Sequence, residues 1–186
     1  MEISRTPIEG AMVIAASSHK DSRGTFRRLW CRRDYGSLHA PADIVQASLS
    51  ETRRRGTLRG MHFQIAPSRE DKLVTCIRGR IYDVALDLRP GSPSYLKHHG
   101  VELSEENCRT FVIPTGCAHG FLSLSDDCAM VYMMTDFFDS TLQRGVRWND
   151  PAFGIAWPEE PREILDRDAN YADFDPRIVD GFADYS

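Results

Sequence analysis

What most limits the folds open to this chain is a succession of short runs that alternate apolar with polar residues and end in turn residues. Ten stand out: Ala11–Ala15, Thr25–Cys31, Ile44–Ser50, Gly56–Phe63, Lys72–Arg80, Ile81–Arg89, His98–Leu103, Arg109–Ile113, His119–Ser123 and Ala129–Asp136. They are rich in Val, Ile, Thr, Phe and Tyr, and a period of two buries one face of each as a strand. Helical periodicity is weak. It supports only a turn at Ser68–Asp71 and short helices near Leu38 and Glu163–Arg167. So many strands in 186 residues predict an all-β fold, a jelly-roll β-sandwich or barrel with a few short helices. Arg-Gly-Arg at 78–80 and Ser-Asp-Asp at 125–127 read as hairpin turns. With no internal repeat or linker, residues 1–186 read as one domain. Asn149–Pro158 then leads from the barrel to an acidic segment, 158–186, that packs on it.

Charge narrows the function classes. Lys and Arg number 23 against 27 Asp and Glu, a net of −4, which argues against a nucleic-acid binder. The excess is local: residues 158–186 hold nine acids and three bases, leaving 18 acids and 20 bases in residues 1–157. A mildly basic body suits an anionic small molecule, while an acidic end equally suits a solvated terminus. No run approaches the roughly 18–20 apolar residues that span a bilayer, so no membrane partner is expected. The first residues lack the basic start of a signal peptide. Five cysteines without a CxxC pair predict reduced thiols and a cytoplasmic location.

Three stretches carry groups capable of chemistry. In Gly56–Gln64, GTLRGMHFQ, a regular strand puts Gly60, His62 and Gln64 on one face, and a glycine beside a histidine lets a ligand approach the backbone. Taken alone, a histidine at position 62 is more often a satisfied barrel histidine than a base. In Phe111–Phe121, FVIPTGCAHGF, the Pro114-x-Gly116-x-x-His119 element matches much of the second cupin motif. A metal-binding cupin also needs a His-x-His pair and a glutamate. Here Gln64 replaces the second histidine and Glu70 falls in a polar turn, so no metal is expected. In Met130–Ser140, MVYMMTDFFDS, alternation places Tyr132, Met134 and Asp136 on one face. A tyrosine there is either core packing or a proton donor.

These stretches, with DSRGTF (Asp21–Phe26), DKLVTCIRGRIYDVALDLRPGSPS (Asp71–Ser94), GVELS (Gly100–Ser104), GVRWNDPAFGIAWP (Gly145–Pro158) and LDRDA (Leu165–Ala169), resemble the dTDP-4-dehydrorhamnose 3,5-epimerase family in order and spacing. The resemblance implies a cupin-like jelly roll that inverts carbons 3 and 5 of a nucleotide-linked 4-keto-6-deoxy sugar, with no redox cofactor and no metal. By this resemblance His62 is the base and Asp168 orients it. Tyr132 is the acid on the opposite face, and Lys72 stabilises the enolate oxygen. Arg59 and His119 surround the sugar and diphosphate, and Asp83 is a buried supporting carboxylate. Arg23 and Phe26 resemble residues given by a neighbouring chain, which implies a homodimer with shared sites.

Several presumed substrate-contacting positions depart from the family pattern. Arg28 stands where an acid is common, Gln46-x-Ser48 where Gln-x-Asn is common, and Phe138 where a second tyrosine is common. The hairpin before Gly56, with Arg53–Arg55, is one residue longer and reads as a solvated tip or a phosphate clamp. Proton-transfer residues survive, while the nucleotide (dTDP, GDP or CDP) and the number of inverted centres stay open. A metal-dependent cupin oxygenase and a sugar-binding cupin are the rivals from other classes. Trp148, Trp157, Cys117 and Cys128 read as packing residues.

Overall fold

The computed structural model describes residues 2–37 and 40–175. Leu38, expected near a helix, and residues 176–186 of the acidic segment lie outside the described residues. In chain order the elements are β1 (Glu2–Arg5), β2 (Met12–Ala15), β3 (Ser18–Asp21), β4 (Gly24–Arg27), α1 (Arg32–Ser37), β5 (Gln46–Thr52), β6 (Thr57–Gln64), β7 (Lys72–Arg78), β8 (Arg80–Asp87), β9 (His98–Ser104), β10 (Arg109–Ile113), β11 (Cys117–Ser123), β12 (Cys128–Met134), β13 (Gln143–Gly145), β14 (Glu163–Ile164) and α2 (Asp166–Ala169). One sheet runs β1-β2-β10-β7-β12-β5, and a second runs β13-β6-β11-β8-β9 with β14 alongside β6.

From β5 to β12 the chain changes sheet at nearly every connection, and only β8 and β9 pair as direct neighbours. This is the jelly-roll arrangement that the alternating runs predicted. It corrects the reading of the turns at 78–80 and 125–127, and of the Arg53–Arg55 tip: none closes a hairpin, because each carries the chain from one sheet to the other. The corners brace one another. Arg80 N–H donates to Ser125 Oγ (3.0 Å), and Asp127 N–H to the Arg53 carbonyl (3.0 Å).

Each of the ten predicted runs overlaps a strand, but Thr25–Cys31 shrinks to β4, which pairs with β3 in a two-stranded hairpin apart from both sheets. The turn placed at Ser68–Asp71 falls earlier, where Ser68 N–H donates to the Ile65 carbonyl. Glu163 and Ile164 form β14, and the short helix begins only at Asp166.

Period-two burial divides the apolar residues into three layers. Val74, Cys76, Ile81, Ala85, Phe111, Phe121 and Met130 pack between the sheets. Outside the first sheet Tyr35 of α1 covers Ile14, Leu73, Val112 and Met133. Outside the second sheet Phe153, Trp157 and Phe174 cover Met61, Phe63, Val84 and Leu86, so the segment after β13 is a lid on that face. Trp157 Nε1–H also donates to the Trp148 carbonyl (2.9 Å), which fits the packing role read for both.

One buried charge anchors the β8–β9 connection. Asp87 is fully buried and accepts from Arg89, Ser92 and Ser94, with Ser92 and Ser94 Oγ each at 2.6 Å. Burial alone would raise this carboxyl, but those donors outweigh it and hold it below the ordinary 3.8. Its contribution to stability is therefore whole above that value and is lost as pH falls below it. Asp87→Ala strands the Arg89 guanidinium and is expected to cost about 3 kcal/mol in urea unfolding at pH 7. A midpoint unchanged from wild type would show that the cluster adds nothing.

Candidate active site

Between the two sheets, at the end away from the braced corners, lies a cavity of about 390 Å³. Its first-sheet wall follows from register. Tyr132 pairs with Ser48, while Met134 pairs with Gln46 on one side and Lys72 on the other, so these side chains share a face. Its second-sheet wall holds Arg59, His62, His119 and Phe121. Asp136 does not join Tyr132 and Met134 as alternation predicted. β12 ends at Met134, and Asp136 instead accepts from Ser68 and Arg69.

Arg59 and His62 are three positions apart yet face the same way, which a regular strand forbids. The register explains it. Arg59 pairs with Phe121 and His62 with His119, so two residues of β6 oppose the single Gly120. This is a β-bulge, with Gly60 at φ +132°. A Cβ on Gly60 would lie 2.4 Å from Gly120 Cα, so only glycine fits. The expectation that Gly60 shares the face of His62 and opens room for a ligand is thereby corrected. The β11 backbone occupies that room.

The bulge also frees the Gly60 N–H, which donates to Asp168 Oδ2 (3.1 Å). Asp168 projects from α2 and is 1% exposed. Burial works to raise its carboxyl, but bonds from His62, the Gly60 N–H and Arg167 hold it below its ordinary value. It is therefore an ionised acceptor, and His62 Nε2–H donates to Oδ1 (2.8 Å). With Nε2 carrying the proton, the imidazole lone pair is on Nδ1. Arg167 Nη2 stands 3.2 Å from Nε2, a cation that adds no hydrogen bond because both atoms are donors.

On the facing wall the Tyr132 hydroxyl lies 4.0 Å from Met130 Sδ. Burial and the nearby Asp83 charge push this phenol well above its ordinary range, so it holds its proton until a strong base arrives. The His119 ring meets Tyr132 edge-on at 5.7 Å, and its Nε2 is 2.7 Å from Asp83 Oδ1. Asp83 is fully buried. Burial raises its carboxyl against the pull of His119, and its Oδ2 has no hydrogen-bond partner among the described residues. Lys72 Nζ lies 2.5 Å from Glu70 Oε2, and Glu70 is 5% exposed on its side chain.

Of the residues singled out in the sequence, His62, Tyr132, Asp168, Lys72, Gln46, Ser48, Arg59, His119 and Phe138 line this cavity, and Asp83 supports it from behind. Arg23, Phe26 and Arg28 do not. Arg23 pairs with Asp21 and Arg28 with Asp34, while Phe26 is 69% exposed. Sequence reasoning missed Glu70, Phe121, Gln143, Leu165 and Arg167 as lining residues. Adjacency to Lys72 and Asp168 was the only signal for Glu70 and Arg167. Among the described residues no three His, Cys, Asp or Glu side chains converge as a metal site.

The model of the family described as dTDP-4-dehydrorhamnose 3,5-epimerase matches residues 5–175. The chain belongs to that family. The epimerase family member of Methanothermobacter thermautotrophicus is 40% identical over 170 residues, covering 90% of this chain and 91% of its own. Among solved structures, the Legionella pneumophila epimerase in complex with dTDP-4-keto-L-rhamnose superposes with a TM-score of 0.85 at 35% identity, covering 90% and 89% of the two chains. A 3′-monoepimerase from Streptomyces bikiniensis, in complex with dTDP-quinovose, gives the same TM-score at 29% identity over 95% and 89%. The family is one of isomerases, and its cupin-like jelly roll is the fold seen here.

Proposed function

We propose that the protein is a cofactor-independent epimerase of a nucleotide-linked 4-keto-6-deoxy sugar, converting dTDP-4-dehydro-6-deoxyglucose to dTDP-4-dehydrorhamnose. The observation that carries the reading is the opposition of His62, on one sheet and paired with Asp168 of α2, to Tyr132 on the other sheet, with the cavity between them. A proton next to a ketone can be removed only by an aimed base, with the enolate oxygen stabilised as charge develops. His62 Nδ1 takes the proton, and Asp168 steadies the imidazolium that forms. The Lys72 ammonium stabilises the enolate oxygen. Tyr132 returns a proton to the opposite face of the same carbon, which inverts it.

Arg59, Gln46, Ser48 and His119 surround the substrate, and Phe138 offers an aromatic wall. Arg23, Phe26 and Arg28 complete the nucleotide side from a second copy in a homodimer. Their exposure in the single chain supports this assignment. Free cysteines, four of the five buried, suit a cytoplasmic, reducing compartment.

Proton NMR in deuterated water with dTDP-4-keto-6-deoxyglucose tests the reading. Deuterium is expected at carbons 3 and 5. The likeness to a 3′-monoepimerase favours, as a second reading, inversion at carbon 3 alone, and exchange at one carbon would establish it. No exchange, there or with GDP- and CDP-linked 4-keto sugars, would leave a sugar-binding protein.

A further inference from the structure

Gln64 ends β6 two residues after His62, at the position where a metal-binding cupin would carry its second histidine. It is 5% exposed, and its side chain turns away from the cavity toward the loop after β12. There its amide meets both sides of one residue. Oε1 accepts the Asp139 N–H (2.7 Å), and Nε2 donates to the Phe137 carbonyl (3.3 Å) and to Ser68 Oγ (3.2 Å). The two backbone groups flank Phe138 as a neighbouring strand would hold them. Phe138 N–H in turn donates to Gln46 Oε1 (3.1 Å). Asp136 fixes the start of the loop, accepting from Ser68 Oγ and the Arg69 and Phe137 amides. All this polar wiring surrounds a phenylalanine that is itself 51% exposed and lines the cavity.

A half-exposed ring on an irregular loop gains little from packing, so its place is set by its backbone. We propose that Gln64 is a positioning residue: its carboxamide clamps the chain on both sides of Phe138 and holds that ring as a fixed wall for a ring of the nucleotide sugar. The proposal rests on the epimerase reading for its ligand, but the clamp itself is independent of turnover. It also gives the non-histidine at this position a purpose. A carboxamide offers an acceptor and a donor at once, which matches a backbone N–H and C=O on either side of one residue. A carboxylate or a neutral imidazole cannot supply that pair in the same geometry.

The test is a double-mutant cycle between Gln64→Leu and Phe138→Ala, read by KM, kcat and dTDP affinity from calorimetry, together with hydrogen exchange at the Asp139 amide. Gln64→Leu is expected to speed exchange at that amide, to raise KM about 3- to 10-fold and to leave kcat nearly unchanged, the scale of one aromatic contact. Phe138→Ala is expected to raise KM similarly, and the double variant to be no worse than Phe138→Ala alone. Equal effects of Gln64→Leu in both backgrounds would overturn the proposal, as would faster amide exchange with KM and dTDP affinity unmoved. Gln64→Asn, which keeps the amide but is too short to span both groups, runs the same cycle if Gln64→Leu does not fold. If the wild type exchanges no sugar proton, the epimerase reading fails separately, and amide exchange with dTDP affinity still decides the clamp.

Discussion

His62→Ala is expected to remove deuterium incorporation at both carbons 3 and 5 and to lower turnover by about 10³- to 10⁴-fold, the range supplied by a positioned general base. Both losses have one origin, because the other imidazole lining the cavity, His119, pairs with a carboxyl that burial raises, whereas the partner of His62 is held low. His119 is turned to Asp83, and its ring is packed against Tyr132. Folding should survive. His62 is partly exposed, and Asp168 keeps the Gly60 N–H and the Arg167 guanidinium once the imidazole is gone. The check is NMR exchange beside a thermal melt. Turnover that persisted in a folded variant would move the base elsewhere.

Tyr132→Phe is expected to lower product formation by about 10²- to 10³-fold while exchange of the substrate proton falls much less. The ring still fills its place against His119, so the change deletes only the hydroxyl. Deprotonation by His62 continues, the enolate collapses back by regaining a proton on the face that lost it, and solvent deuterium enters without inversion. Equal loss of exchange and product would show that Tyr132 does not serve the second face. Because this phenol is held above its ordinary range, its proton-donating form persists through neutral and moderately alkaline pH. A phenolate absorbance that rises near the ordinary tyrosine value in the wild type and is missing from Tyr132→Phe would contradict that assignment.

Period-two alternation was enough to find β2 and β5 to β12, but not β13 or β14, which at three and two residues are too short to show a period. It did not find β1 or β3, whose residues are all exposed and so carry no alternating signal. Nor could it tell a hairpin from a sheet-to-sheet crossover: Gly79 suits either, and only long-range pairing decides. Within the site, Tyr132 and Met134, on a regular strand, fell on the one face where parity put them. Arg59 and Gly60 did not, because parity assumes one residue opposite one and the bulge breaks that rule. Glu70 and Arg167 were hidden differently. Each is a charge among other charges, Glu70 in a loop and Arg167 in the single turn of α2, and only the fold buries the first and brings the second to His62. Arg23, Phe26 and Arg28 were named from resemblance alone, and a single chain keeps them apart from the cavity.

The bulge in β6 sets a condition for anyone who would transplant this proton-transfer centre into another β-sandwich. Copying His62 and Arg59 onto an unbroken strand would send one of them to the wrong side of the sheet. The graft has to carry the inserted residue, and with it two glycines on neighbouring strands, since a Cβ on Gly120 would meet Met61 Sδ at 2.6 Å just as one on Gly60 would meet Gly120. It must also carry the backbone amide that the bulge releases toward Asp168. The smallest portable unit is thus a pair of strands with a fixed irregularity, together with the short helix that presents Asp168, not a set of side chains.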